Sequence, residues 1–402
     1  MKSIKVFCLA GSCLFMSACG GGNTDTVQVE TVKNNYTDMA YAAYGDSLTQ
    51  AQALLNRVDE LIAEPSEERL TAAKSAYKDA RIPYQQSEIM RWDTAITLDA
   101  NLDLDGGPAS VDEWEGQVNA WPLDENHIDA LIESDVDINK TLLIAQNGAA
   151  DNEANVSTGV HAVEFLLWGR DNNGTEPGAG EQLASAFSQD DCPDDLCLRR
   201  AEYLRAATEL LVDDLELMLA EWSPSARSTE GTLAYNFLNN DQALEYILGS
   251  IRAMASDELA SARMSSGLEL GDPEEEHDCF SDLSHVAIYY NFQGVRNAFY
   301  GRYGEVDGAS VADLILQKNP ETYFEINAKL NDIETLMAKI FVAGERNENT
   351  VRYDQIIGQA SDGVERIIAE SAVDQLIDID SLFVEAQEIL ALSEIIIVGG
   401  GD

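Results

Sequence analysis

The chain is poor in basic residues, histidine and proline. Of 402 residues, 25 are Lys or Arg against 72 Asp or Glu, which leaves a net charge of −47. Nucleic acid is therefore excluded as a partner, because binding it requires cations to neutralise phosphates. Electrostatic adhesion to anionic lipid is excluded for the same reason. There are four histidines, His127, His161, His277 and His285, too few for a His-rich catalytic zinc centre. No H-E-x-x-H or H-x-x-E-H occurs, since Phe165 follows Glu164. No two C-x-x-C motifs are present, so a structural zinc site of that type is excluded. After the first 18 residues no run of roughly 18 uncharged apolar residues remains to span a bilayer. Proline is scarce at 9 residues, and strict period-two alternation is rare, so an extended sheet is not expected.

What the chain does have begins at its start. Lys2 and Lys5 supply a positive start, and the largely apolar stretch Ile4 to Met16 is too short to span a membrane. Met16-Ser17-Ala18-Cys19 then reads as a lipobox, with residues 1–18 as a lipoprotein signal peptide and Cys19 as the acylated first mature residue. Residues 19–35 read as the acylated Cys and a flexible tether, opened by Gly20-Gly21-Gly22-Asn23. No Asp follows Cys19, which favours the outer membrane over inner-membrane retention. Removing Lys2 and Lys5 takes the net charge to −49 (−47 − 2). Of the other cysteines, Cys8 and Cys13 leave with the signal. Cys192 and Cys197 are close enough to close a small disulfide loop in an oxidising compartment, and Cys279 is expected to be buried.

Helical periodicity dominates the rest. Leu204, Ala207, Leu211, Leu215, Met218 and Trp222 recur at three- and four-residue steps and stop before Pro224. Leu244, Ile247, Leu248, Ile251, Ala255 and Leu259 do the same, and 331–342 and 373–392 are further amphipathic stretches. Ser66 is placed as an N-cap with Glu67 and Glu68 in the first turn behind it. Loops are expected at 101–109, 170–182, around the Cys192–Cys197 pair, at 223–231 and at 267–278. The chain is all-α. Its length favours two bundles, residues 36–222 and 223–402, divided near Ser223-Pro224-Ser225.

The segment with chemistry in it is Thr158-Gly159-Val160-His161-Ala162-Val163-Glu164-Phe165-Leu166-Leu167-Trp168-Gly169. His161 and Glu164 are three apart, so a helix puts an imidazole and a carboxylate on one face, where both can bind one transition-metal ion. On spacing alone, such a pair is more often a hydrogen-bonded structural pair than a metal site. Gly159 would let a neighbouring backbone approach closely. A second acidic pattern, Asn101-x-Asp103-x-Asp105-Gly106 with Asp112, departs from an EF-hand loop at its first and last positions and is expected to be an acidic turn.

Gly159-Val160-His161-Ala162-Val163-Glu164 resembles the G-x-H-x-x-E motif of the imelysin family. Ala80-Arg81-Ile82-Pro83-Tyr84 with Ser87-Glu88 and Arg91-Trp92 resembles a second family segment. Val118-Asn119-Ala120-Trp121-Pro122-Leu123-Asp124 resembles a third, and Cys279-Phe280-Ser281-Asp282 through Tyr290-Asn291-Phe292-Gln293-Gly294 a fourth. The iron-regulated protein A branch is the most similar. This resemblance implies an imelysin-type fold of two helical bundles in an outer-membrane or periplasmic lipoprotein linked to iron acquisition. It implies a metal site at His161 and Glu164, completed by Glu88, with iron first and zinc or copper also compatible. Arg81, Arg91, Asp124 and Asn291 match motif positions. The implied partners are the membrane, through the lipid, and the iron-uptake machinery of the envelope. Two other readings stay open: a metallopeptidase, which the missing zinc-protease motifs disfavour, and a helical interaction protein whose His–Glu pair is structural.

Overall fold

The structure is a computed structural model that describes residues 26–90, 96–97 and 111–397. The lipobox with Cys19, Arg91, and residues 101–110 of the acidic turn lie outside the described residues. Fifteen α-helices are described: α1 Val29–Ala63, α2 Glu67–Ser87, α3 Val111–Val118, α4 Glu125–Glu133, α5 Lys140–Gln146, α6 Gly159–Trp168, α7 Cys197–Glu221, α8 Leu233–Asn239, α9 Ala243–Arg252, α10 Ser266–Leu270, α11 Ser284–Tyr300, α12 Val311–Lys318, α13 Pro320–Gly344, α14 Tyr353–Gly358 and α15 Val364–Leu390. Strand content among the described residues is two two-residue antiparallel pairs. Ile96–Thr97 meets Ile396–Ile397, and Arg302–Tyr303 meets Val306–Asp307. The fold is all-α, as the periodicity implies.

The long helices form where apolar spacing is helical. On α7, Leu204, Ala207, Leu211, Leu215 and Met218 are buried, and the helix ends at Glu221, ahead of Pro224. Ser66 caps α2, its hydroxyl accepting from the Arg69 amide at 3.3 Å. Helix α15 ends at Leu390, two residues before the expected Leu392, because Ala391 turns left-handed (φ 58°). The expected tether is also shorter than 19–35. Residues 29–35 already belong to α1, whose Val32, Tyr36, Met39, Ala40 and Ala43 are buried at helical spacing. Likewise helix α10 runs to Leu270, so the loop expected from 267 begins at Gly271.

Helix α1 packs on α2 and α7, and α6 lies against α7 and α2. Helix α11 packs on both α2 and α13. One buried apolar cluster runs from Val32 to Ile395, through both halves of the chain. Between α9 and α10 the backbone widens into a π-helical stretch, Ala253–Ser265. Such widening is rare and clusters at functional sites. Here it puts residues five apart on one face. Arg263 Nε donates to Glu258 Oε1 at 2.6 Å across an i, i+5 step. Among the described residues, no helix is long and apolar enough to cross a membrane.

Candidate metal centre

Helix α6 begins at Gly159 because no other residue fits there. Its φ is +78°, and a Cβ would sit 2.3 Å from the carbonyl oxygen of Val118. That close approach sets α6 against the segment carrying Asn119 and Trp121. All ten residues of α6 are buried, His161 and Glu164 completely. Their shared face brings His161 Nδ1 to 3.1 Å from Glu164 Oε2.

The third group of the site comes from far along the chain. His161, Glu164 and Asp278 each offer a ligand atom, and these atoms lie within 4.8 Å of one another. Asp278 belongs to the turn that precedes α11, and it is fully buried. The same turn supplies Ser281, whose amide (3.0 Å) and hydroxyl (2.6 Å) both donate to Glu164 Oε1. Tyr77 of α2 donates to Glu164 Oε2 at 3.3 Å. Arg81, one turn further on α2, clamps Asp278 with two bonds, Nε to Oδ1 at 2.9 Å and Nη2 to Oδ2 at 3.1 Å. The rings of Trp121 and His277 pack on His161, with centroids at 5.0 and 4.5 Å. Trp121 and His277 also form part of the wall of a cleft of about 240 Å³ that Glu258, Arg263 and Glu274 complete.

Burial decides the electrostatics. Glu164 is pushed well above the usual carboxylate range, first by burial and then by the charge of Asp278; the Ser281 bonds and Arg81 oppose this. Asp278 is likewise buried, yet the Arg81 guanidinium beside it holds its carboxyl far below that range. Arg81 lowers both carboxyls; it prevails over burial at Asp278, which it clamps, and does not prevail at Glu164. Cys279, next in sequence, is buried, and burial pushes its thiol well up, which makes it unreactive.

Glu88, the expected third ligand, is not in that group. It is buried in the short 3₁₀ turn after α2 and forms an ion pair with Arg263, Nη1 to Oε2 at 2.9 Å. Asn119 donates to its Oε1 at 2.8 Å, and Asn291 donates to its Oε2. The physical reason is the π-helical stretch, which delivers Arg263 to Glu88 and leaves the carboxylate position beside His161 to Asp278. The two clusters are joined: Arg81 Nη1 donates to Asn119 Oδ1 at 3.0 Å, and Asn119 bonds Glu88. Asn291 also accepts from Arg263 Nη1 at 2.8 Å. Asp124 is placed elsewhere, as the N-cap of α4, accepting from the Asn126 amide at 3.0 Å. Sequence reasoning missed Asp278, Tyr77 and Ser281 as site residues. The signal for Asp278 and Ser281 was their place in and beside the Cys279-Phe280-Ser281-Asp282 segment. For Arg263 there was none.

The imelysin family profile, which carries a peptidase label, matches residues 40–382. The chain belongs to the imelysin family. Solved imelysin-type structures share its fold. One is described as an iron-regulated protein A precursor from Parabacteroides distasonis, at 18% identity and TM-score 0.62, over 91% of this chain and 97% of that one. Another is an imelysin-like protein from Psychrobacter arcticum, at 16% identity and TM-score 0.59, with the same coverage. Among curated proteins none matches the chain. In this family member the cysteines Cys192 and Cys197 form a disulfide, with their Cα atoms 5.8 Å apart. It closes the turn that leads into α7.

The donor chemistry of the site fits a transition metal. One imidazole nitrogen and two carboxylate oxygens, gathered within 4.8 Å, form a mixed N/O set that iron, zinc and copper accept. Arg81 competes with any such ion for Asp278, and the Ser281 and Tyr77 bonds orient Glu164 toward His161.

Proposed function

We propose that this imelysin-family protein binds a metal ion, iron first, through His161, Glu164 and Asp278, and takes part in iron acquisition at the cell envelope without turnover. The observation that carries this reading is the convergence of those three donors from two distant segments onto one buried point. The iron-regulated description of a structural relative supports the choice of iron. Turnover is left out because the sequence has no zinc-protease motif, and because Ser281, Tyr77 and Arg81 already engage both carboxylates. A bound ion would give the site reversible capture, with the imidazole and carboxylates as ligands and Arg81 as the group it displaces from Asp278. The lipobox-like segment supports attachment to a membrane by a lipid on Cys19, with the helical domain on the periplasmic or outer face. The iron-uptake machinery of the envelope is the partner that such a location offers.

The deciding experiment is thermal unfolding of the chelator-treated mature protein with and without Fe(II), Zn(II) and Cu(II) at neutral pH. A ligand at a hundredfold excess over its dissociation constant stabilises by about 2.7 kcal/mol. His161→Ala should abolish the rise in Tm and the bound metal, while His127→Ala should keep both, since His127 bonds Ser157 away from the site. Wild-type protein indifferent to all three ions would make the His161–Glu164 pair structural. The anchor has its own test. Cys19→Ser should move the protein from the membrane fraction to the soluble one, and unchanged membrane association would refute the lipid.

A further inference from the structure

A second group of acids is assembled on the other side of the Asp278 turn. Glu276, Asp282 and Asp354 are each 1% exposed, and each offers a carboxylate oxygen within 4.8 Å of the others. They come from separate places. Glu276 and Asp282 flank the turn before α11, and Asp354 opens α14. Asp282 reaches inward from a left-handed backbone position (φ 53°).

Buried carboxylate oxygens are almost always hydrogen-bonded. Here four are not: Glu276 Oε2, Asp282 Oδ1 and both Asp354 oxygens have no partner in hydrogen-bonding geometry. Arg352 pairs with one of the three, Nη1 to Asp282 Oδ2 at 3.2 Å, and its charge and the Gln355 amide also favour the charged form of Asp354, as Ser284 does for Glu276. Asp171 adds a further negative charge that both Asp282 and Asp354 feel. Burial, with the neighbouring acids, pushes Asp354 up to about 7 and Asp282 up to about 6. Three converging acids with so little compensation and four unused inward oxygens are costly to fold. A cation in their midst removes that cost.

We propose that Glu276, Asp282 and Asp354 form a binding site for one hard divalent cation of the calcium class. An all-oxygen carboxylate set is the chemistry such ions take, and it differs from the imidazole-containing set at His161. The site's role follows from its position. Glu276 lies two residues before Asp278, and Asp282 directly follows Ser281, so a cation held there fixes both ends of the turn that presents Asp278 and Ser281 to Glu164. The proposal is independent of the function argued for His161, because it needs neither a transition metal nor that imidazole.

The test is equilibrium dialysis and thermal unfolding of the chelator-treated mature protein in calcium chloride, at an ionic strength high enough to suppress diffuse binding to the acidic surface. Saturable binding of one calcium per chain is expected, with a calcium-dependent rise in Tm. Asp354→Asn should lose both, and Glu276→Gln serves the same purpose if Asp354→Asn fails to fold. His161→Ala should retain calcium binding unchanged. Absence of a saturable calcium in wild-type protein would overturn the proposal, as would equal binding by the Asp354 and Glu276 variants. In that case the three acids share protons instead. A protein that binds calcium but no iron, zinc or copper would sink the function proposed for His161 and leave this site standing.

Discussion

Arg81→Met is the substitution whose consequences the structure defines most sharply. Arg81 is 1% exposed and Asp278 is fully buried, and the guanidinium is the group that makes the aspartate charge tolerable there. Methionine keeps much of the volume and removes the charge, leaving Asp278 buried with only the His277 and His161 imidazoles to offset it. Breaking a buried pair from one side costs about 3–5 kcal/mol. Taking about 4 kcal/mol, and an unfolding entropy of about 0.8 kcal/mol/K for a chain of this size, Tm should fall by about 5 °C. Urea unfolding should report the same loss through the midpoint, with an unchanged slope. The double variant Arg81→Met/Asp278→Asn no longer buries a lone charge and should recover most of the stability, which gives a coupling energy well above 1 kcal/mol. A third consequence separates the pair's structural role from its role at the metal. If a bound ion must displace Arg81 from Asp278, Arg81→Met should show a larger metal-dependent rise in Tm than wild type. A cost under about 1 kcal/mol for Arg81→Met, or a double variant no more stable than the single one, would mean that the guanidinium does not sustain the Asp278 charge.

Two more predictions follow from individual positions. Gly159→Ala places a Cβ against the Val118 carbonyl at a positive φ, so stability should fall by about 2 kcal/mol or more; a Tm within 1 °C of wild type would contradict the close approach. Asp214 is buried on α7, where burial raises its carboxyl to about 6 despite a bond from Gln117. A raised folded pKa means its contribution is complete below the unfolded value near 3.8 and is lost as pH rises through about 6. Asp214→Asn should therefore stabilise the protein at pH 7 by up to about 3 kcal/mol (6 − 3.8, or 2.2 units at 1.36 each) and match wild type near pH 4. An Asn variant no more stable than wild type at pH 7 would refute the assignment.

What the sequence determined by itself is local. The start of α2, capped by Ser66, most of α7 and the later parts of α13 and α15 were legible because the apolar spacing lies within their own residues, and a 3.6-residue period needs no distant partner. The shared face of His161 and Glu164 was legible for the same reason, since i, i+3 neighbours meet on any helix. The need for glycine at 159 was readable as a close approach, though not which backbone approaches. Tertiary structure decided the rest. The carboxylate beside His161 is Asp278, more than a hundred residues away, and no periodicity distinguishes it from Glu88, which lies as close to a matched motif. That choice was settled by where α2 and α11 meet, and by a π-helical stretch that sends Arg263 to Glu88. In the same way, Glu276, Asp282 and Asp354 are unremarkable acids among 72 in the sequence. Only folding removes water from the three together, and it is that loss of water that turns ordinary surface residue types into a site.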